Sequence, residues 1–250
     1  MSRTSGRPAL RPHQGPVHAS DPARIAGGKS GALRAAIFGV NDGLVSNLSL
    51  LMGVSGAGVQ PDVVVLAGVA GLLAGAFSMA AGEYISMRVQ RELFERLIHI
   101  EAHELANDPE GETAELARIY VDRGMPEDLA DQTARALMRD PAAALEVHAR
   151  EELGLDPEEL GSPWGAAISS FLTFSAGAFV PLVPFLFGAG ATAELLAAGL
   201  SLTALFVVGS SLTYFTGRPW PLAGGRMVLI GGVAALVTYG VGSLLGVATR

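Results

Sequence analysis

The stretch Ala35–Val59 reads AAIFGVNDGLVSNLSLLMGVSGAGV and carries one charge in its whole length, Asp42. A helix rising about 1.5 Å per residue crosses the ~30 Å hydrocarbon core of a bilayer in about 20 residues, so this run is long enough to span a membrane. An ionisable group at that depth costs about 3 kcal/mol even on the gentler insertion scales, and it faces a bundle interior or a water-filled path rather than lipid. Asp42 is therefore the first candidate functional residue. Its neighbours Asn41, Ser46 and Asn47 can hydrogen-bond across helices, which is a sufficient structural role for at least some of them.

Four more apolar stretches follow, Val63–Met87, Pro163–Ala193, Leu195–Gly217 and Met227–Thr249, and together they add one further charge, Glu83. The fold class expected is an all-α polytopic membrane protein with five transmembrane helices. Half of the 250 residues are hydrophobic, 16% are charged and the mean hydropathy is +0.39, an average that conceals two very different compositions. The absence of cysteine excludes thiolate metal sites and disulfides. No Ser–His–Asp grouping, phosphate-binding loop or dinucleotide fingerprint suggests hydrolysis or ATP-driven pumping.

The tail up to Arg34 holds six Lys or Arg and residues 88–160 hold eight, whereas the short connections after spans one and three hold none. The positive-inside rule then makes the tail and the central segment cytoplasmic and places the C-terminus outside, with Arg218 and Arg226 in the cytoplasmic turn between spans four and five. The organisation expected is a disordered cytoplasmic tail (1–34), rich in Pro, Gly and Ser, then spans one and two (35–87), an acidic helical lobe (88–160) and spans three to five (163–250). A secretory signal peptide is not expected, because the polar tail is followed by a span too long for one.

Residues 88–160 contain 19 Asp or Glu against 8 Arg, a local charge of −11 in a chain of net −7. Such a surplus repels nucleic acid and anionic lipid and attracts cations; it also serves simply to keep a helical domain soluble. Tyr84–Ala106 lacks Gly and Pro and reads as one helix running out of span two into water, ended at Pro109-Glu110-Gly111. Further helices are expected at Glu112–Asp122, Pro126–Arg139 and Pro141–Glu152, with Gly124 and Gly154 as stops.

Glu101 and Glu104 are three apart, as are Glu112 and Glu115, so each pair shares a helix face. Two such pairs on consecutive antiparallel helices can converge on a cation, with His148 and Glu152 at i,i+4 on another helix as further donors. Glu92, Glu95 and His99 serve equally well on spacing alone. In span two, Met79 is by itself ordinary packing, but a thioether beside the Asp42 carboxylate would pair a soft with a hard ligand, which suits a borderline cation such as Fe²⁺. Glu83, one turn on, either guards a pathway or marks the membrane boundary. The glycines at 71 and 75, and at 242 and 246, allow close helix approach. Pro181 and Pro184 are expected to kink or break span three.

The run Asp42-Gly43-Leu44-Val45-Ser46-Asn47-Leu48-Ser49-Leu50, followed by Ala74-Gly75-Ala76-Phe77-Ser78-Met79-Ala80-Ala81-Gly82-Glu83-Tyr84-Ile85-Ser86, resembles the vacuolar iron transporter family, from about residue 35 to the C-terminus. The resemblance implies a homodimeric Fe²⁺/H⁺ antiporter, not an enzyme, that removes divalent metal, Fe²⁺ and also Mn²⁺, from the cytosol along a pathway lined by the first two helices. It implies pathway residues at Asp42 and Met79, and metal ligands in the lobe at Glu101, Glu104, Glu112, Glu115 and Glu152. Where plant-type members carry two adjacent methionines, this chain has His148-Ala149, so a nitrogen donor stands in for thioethers.

Partners expected are thus divalent metal ions, protons, lipid and a second copy of the chain, with no nucleic acid and no cofactor beyond the bound or transported metal. The membrane is the plasma (inner) membrane of a bacterium or the vacuolar membrane of a eukaryote; arginine outnumbers lysine 16 to 1, a bias of GC-rich bacterial genomes. Two rival readings are a membrane-tethered metal buffer or sensor and a ferroxidase-like carboxylate enzyme.

Overall fold

The computed structural model describes residues 29–156, 160–213 and 219–248. The expected disordered tail falls, up to residue 28, outside the described residues, as does Arg218. Among the described residues the elements are all helices: α1 (Lys29–Gly56), α2 (Pro61–Asn107), α3 (Pro109–Asp122), α4 (Glu127–Leu137), α5 (Pro141–Glu151), α6 (Pro163–Phe187), α7 (Gly190–Ser211) and α8 (Trp220–Ala248). Five of them, α1, α2, α6, α7 and α8, are long and apolar enough to cross a membrane. The protein is an all-α polytopic membrane protein.

Four features of the spans differ from the expected ones. Helix α1 begins at Lys29, so residues 29–34 are helical rather than part of a disordered tail. The break between the third and fourth spans falls at Gly188 and Ala189, not beside Glu194, which lies inside α7. There its carboxylate accepts a hydrogen bond from the Ser55 hydroxyl of α1, so the charge has a partner and does not need to end a helix. Helix α8 starts at Trp220 and takes in Arg226, expected in a turn. Arginine within two turns of a helix end keeps its head in water while its stem lies along apolar surface. Finally, α6 runs unbroken through Pro181 and Pro184. Both prolines are buried, and Asn47 of α1 donates to the Ala178 carbonyl at 2.6 Å just before them. Cover from neighbouring helices helps to make interior prolines tolerable in a membrane.

Helix α1 is the hub on which α2, α6, α7 and α8 all pack. Its closest approaches use glycine on both sides. A methyl group at Gly43 would run into the Phe174 carbonyl of α6, and one at Gly177 into the Val40 carbonyl of α1. On the other flank, Gly242 and Gly246 of α8 lie against the carbonyls of Gly53 and Ala57. Small residues at these contacts let backbones come together where lipid offers no hydrophobic drive. Leu48, Leu51, Met52, Val64, Leu182, Phe185, Ala193, Ala197 and Ala235 form the apolar core between the spans.

Helix α2 is 47 residues long, about 70 Å at 1.5 Å per residue, so its second half stands clear of any bilayer. That half carries the polar lobe. Asp108 caps α3, its side chain accepting from the Gly111 amide at 3.0 Å, and Asp140 caps α5 by accepting from Ala142 at 2.9 Å; Pro109 and Pro141 occupy the first helical positions. The α3 cap brings the helix start forward three residues from Glu112. Gly124 and Gly154, at φ 97° and 65°, make the turns that end α3 and α5. Leu116, Ala130, Ala134, Ala144 and Ala149 are buried between the lobe helices, and Arg123 pairs with Glu151 to join α3 to α5.

Candidate metal sites in the membrane and in the polar lobe

On the flank of α1 and α2 the structure holds a cavity of about 290 Å³ lined by Asp42, Ser46, Asn47 and Leu50 of α1, Gly71, Gly75, Ser78 and Met79 of α2, and Phe174 of α6. Helical periodicity puts Asp42, Ser46 and Leu50 on one face of α1, and Gly71, Gly75, Ser78 and Met79 on one face of α2. Glycines at 71 and 75 leave the room: a side chain there would meet Leu50 and the Phe174 ring. The Ser46 hydroxyl donates to Asp42 Oδ1 at 2.8 Å, within one helix rather than across helices. Asn47 does cross: its Nδ2 is tied to the Ala178 carbonyl at 2.6 Å, while its buried Oδ1 has no hydrogen-bond partner and lies beside Gly71.

The cavity thus offers a carboxylate, two hydroxyls, an amide oxygen and a thioether. Asp42, Ser46 and Ser78 are exposed in the single chain, so the cavity opens sideways. Asn41 and Glu83 do not line it. Ser78 and Phe174 line it without having been picked out in the sequence; Ser78 could have been found one position before Met79, whereas Phe174 comes from a helix distant in the chain.

In the lobe, α2, α3 and α5 bring Glu101, Glu112 and His148 together, with one donor atom from each inside a 4.8 Å group. His148 is completely buried and Glu101 almost so. The imidazole Nδ1 lies 2.9 Å from the Ala144 carbonyl and Nε2 3.7 Å from the Glu112 carboxylate. Nε2 is also 3.3 Å from the Glu112 carbonyl, the longer of the two carbonyl contacts. A proton on Nδ1, donated to Ala144, fixes the ring and leaves the Nε2 lone pair toward the carboxylates, the second-shell arrangement common among metal-binding histidines.

Burial, and then the charge of Glu152, push the Glu101 carboxyl up to about 7, with His148 opposing. Burial likewise raises Glu112 and Glu152, and again the nearby imidazole opposes. Glu101 Oε1 is buried without a hydrogen-bond partner. A buried carboxylate oxygen that nothing satisfies, beside a second carboxylate and an imidazole, is a site whose electrostatics a divalent cation would repair. Glu104, Glu115 and Glu152 surround the group electrostatically but supply no donor atom to it. Glu92 and Glu95 are held by Arg88 and Arg91 at 2.6 and 2.7 Å on the exposed face of α2, and His99 is exposed, away from the cluster.

Five spans, a polar cavity with a carboxylate between them, and a carboxylate–histidine cluster shared by α2, α3 and α5 define a polytopic membrane protein with groups able to ligate a metal both in its spans and beyond them. A model of the VIT family matches residues 33–243, and the chain belongs to that family. It is 36% identical over 223 residues to a vacuolar iron transporter of Acanthamoeba castellanii, covering 87% of this chain and 80% of the relative. It is 32% identical over 209 residues to vacuolar iron transporter 1 of Oryza sativa subsp. japonica, and 30% over 208 residues to vacuolar iron transporter 1 of Arabidopsis thaliana, covering 83% of both chains in each case. Membership of the family supports metal transport across a membrane, and the transporter names of these relatives speak against an enzyme.

Proposed function

We propose that this chain is a proton-coupled carrier that moves Fe²⁺, and also Mn²⁺, out of the cytosol, working as a homodimer in a bacterial plasma membrane or a eukaryotic vacuolar membrane. The observation that carries the proposal is the intramembrane cavity shared by Asp42 and Met79 in a chain whose relatives are named vacuolar iron transporters. The tail and lobe face the cytosol, a reading that the distribution of arginine supports. The lobe, with Glu101, Glu112 and His148 as ligands and Glu104, Glu115 and Glu152 adding negative field, concentrates cation beside the membrane. Metal then passes to Asp42, Ser46, Asn47 and Met79.

A carboxylate that carries a proton is a poor metal ligand, so protonation of Asp42 from the far side releases metal and returns the carrier loaded with a proton. Competition for one carboxylate is sufficient for antiport. Imidazole in place of thioether in the lobe broadens the range to borderline divalent metals generally. The second reading, a membrane-tethered metal buffer, is favoured by the lobe cluster alone and leaves Asp42 without a use. Reconstitution in liposomes with pH and metal dyes separates the two: proton-coupled uptake of Fe²⁺ or Mn²⁺ that is lost in Asp42→Ala supports the carrier, and binding without flux replaces it with the buffer.

A further inference from the structure

Glu194 belongs neither to the cavity nor to the lobe. It is a half-buried carboxylate in α7, a membrane helix with no other ionisable side chain, and it accepts a hydrogen bond from Ser55 of α1. It stands at the end of the spans opposite the lobe, where α1 ends at Gly56, α6 ends at Phe187 and α7 begins at Gly190. Seven residues deeper, and so on the same face of α7, Ser201 is wholly buried and its hydroxyl has no hydrogen-bond partner. The buried hydroxyl of Ser49, between Ser55 and Asp42 on α1, has none either. Ionisable groups kept in membrane helices mark ion or proton routes, and buried hydroxyls without partners mark places where water or a mobile proton completes the bonding.

We propose that Glu194 is a proton-binding carboxylate of the carrier, loaded from the compartment opposite the lobe, with Ser55 positioning it and the hydroxyls of Ser201 and Ser49 marking the inward track toward Asp42. The assignment rests on the antiport reading above. One carboxylate and one hydroxyl fall far short of the roughly six oxygen ligands a hard divalent cation takes, whereas a proton needs a single carboxylate oxygen. The helices packed against α7 bring no competing cation to that end among the described residues. Helix α6 has no ionisable side chain, and Tyr239 is the titratable group of α8 at that level, its carbonyl against Gly56. Arg226 lies at the other end of α8, and Asp62, exposed at the start of α2, is the nearby acid. Asp42 is 13 residues before Ser55, about 20 Å along α1, so the two carboxylates are separate proton sites.

The test uses the full chain in liposomes, with Mn²⁺ as probe and the pH varied only on the side opposite the lobe. Wild-type flux should rise as that side is acidified. In Glu194→Gln this response should fall by about tenfold, the effect of one pH unit on a single-proton step, while Mn²⁺–Mn²⁺ exchange at equal pH stays within about twofold. Glu194→Asp, which restores a carboxylate, should recover part of the response. A wild-type pH response in Glu194→Gln overturns the assignment, and so does a loss of exchange equal to the loss of driven flux, which makes the residue merely structural. Wild-type flux indifferent to that acidification, and in a parallel series to pH on the lobe side, would instead overturn antiport itself.

Discussion

At the scale of single residues, two carboxylates divide the chemistry. If metal and proton compete at Asp42, as the carrier proposal holds, Asp42→Asn, which keeps shape and removes charge, should lower driven flux by about 100-fold or more, given that even partners behind the ligands contribute 10- to 100-fold. Lobe affinity for Mn²⁺, titrated in the same preparation, should not change; equal loss in both would show that the two sites are one. In the lobe, pH should act through Glu101. Its pKa is raised to about 7 from an ordinary 4.5, so the folded apo lobe holds a proton there that the unfolded chain does not. That stabilisation is fully present below about 4.5 and is lost as pH rises through about 7. Metal binding runs the other way, because the ligand must be deprotonated. Mn²⁺ affinity measured by calorimetry from pH 6 to 8 should rise and level off above 7, and Glu101→Gln should weaken binding and flatten the curve. An unchanged curve in that variant would remove Glu101 from the site.

At the scale of helices, glycine decides where backbones meet. Gly43→Ala puts a methyl group against the Phe174 carbonyl, an atom that cannot swing aside, and should cost about 1 to 3 kcal/mol as overpacking does. Gly199→Ala, in α7 with nothing within 4 Å of the added carbon, should stay within about 1 kcal/mol of wild type. Thermal melts in detergent compare them, and equal melting points would show that the α1–α6 contact is loose. Much at this scale was legible in sequence. The unbroken run past Tyr84 announced the continuous α2, and the Pro and Gly punctuation gave the lobe helices to within a few residues. Charge misled at two span ends, because Glu194 finds Ser55 on another helix and Arg226 is exposed within two turns of the start of α8. Of the kink or break expected at the prolines of α6, no break occurs: the helix continues through Pro181 and Pro184, both buried against neighbouring helices. Spacing named Glu101 and Glu112 without separating them from Glu104 and Glu115: period alone says which residues share a face, whereas the turn at Asp108 and the packing of α5 decide which of them point at His148.

At the scale of the whole molecule, the cavity is unfinished in a single chain. Asp42, Ser46 and Ser78 are exposed on the flank of α1 and α2, yet a carboxylate facing hydrocarbon is costly and rare in membrane helices. Covering that flank with the same flank of a second copy would close the cavity, bring two Asp42 side chains to a common axis and bury the apolar residues beside it, Leu50 among them, as an isologous contact does. The absence of cysteine makes this directly testable. Ser78→Cys introduces a single thiol at the exposed mouth of the cavity, and in native membranes a short bis-maleimide should convert most of the protein to a cross-linked dimer. Leu236→Cys, on the outward face of α8 and 74% exposed, should remain uncrosslinked under the same treatment. If the two variants cross-linked alike, or only the second did, the α1–α2 flank would not be the interface. Asp42 would then have to be shielded by lipid headgroups or water drawn into the bilayer, and a pathway within one chain would replace one shared between two.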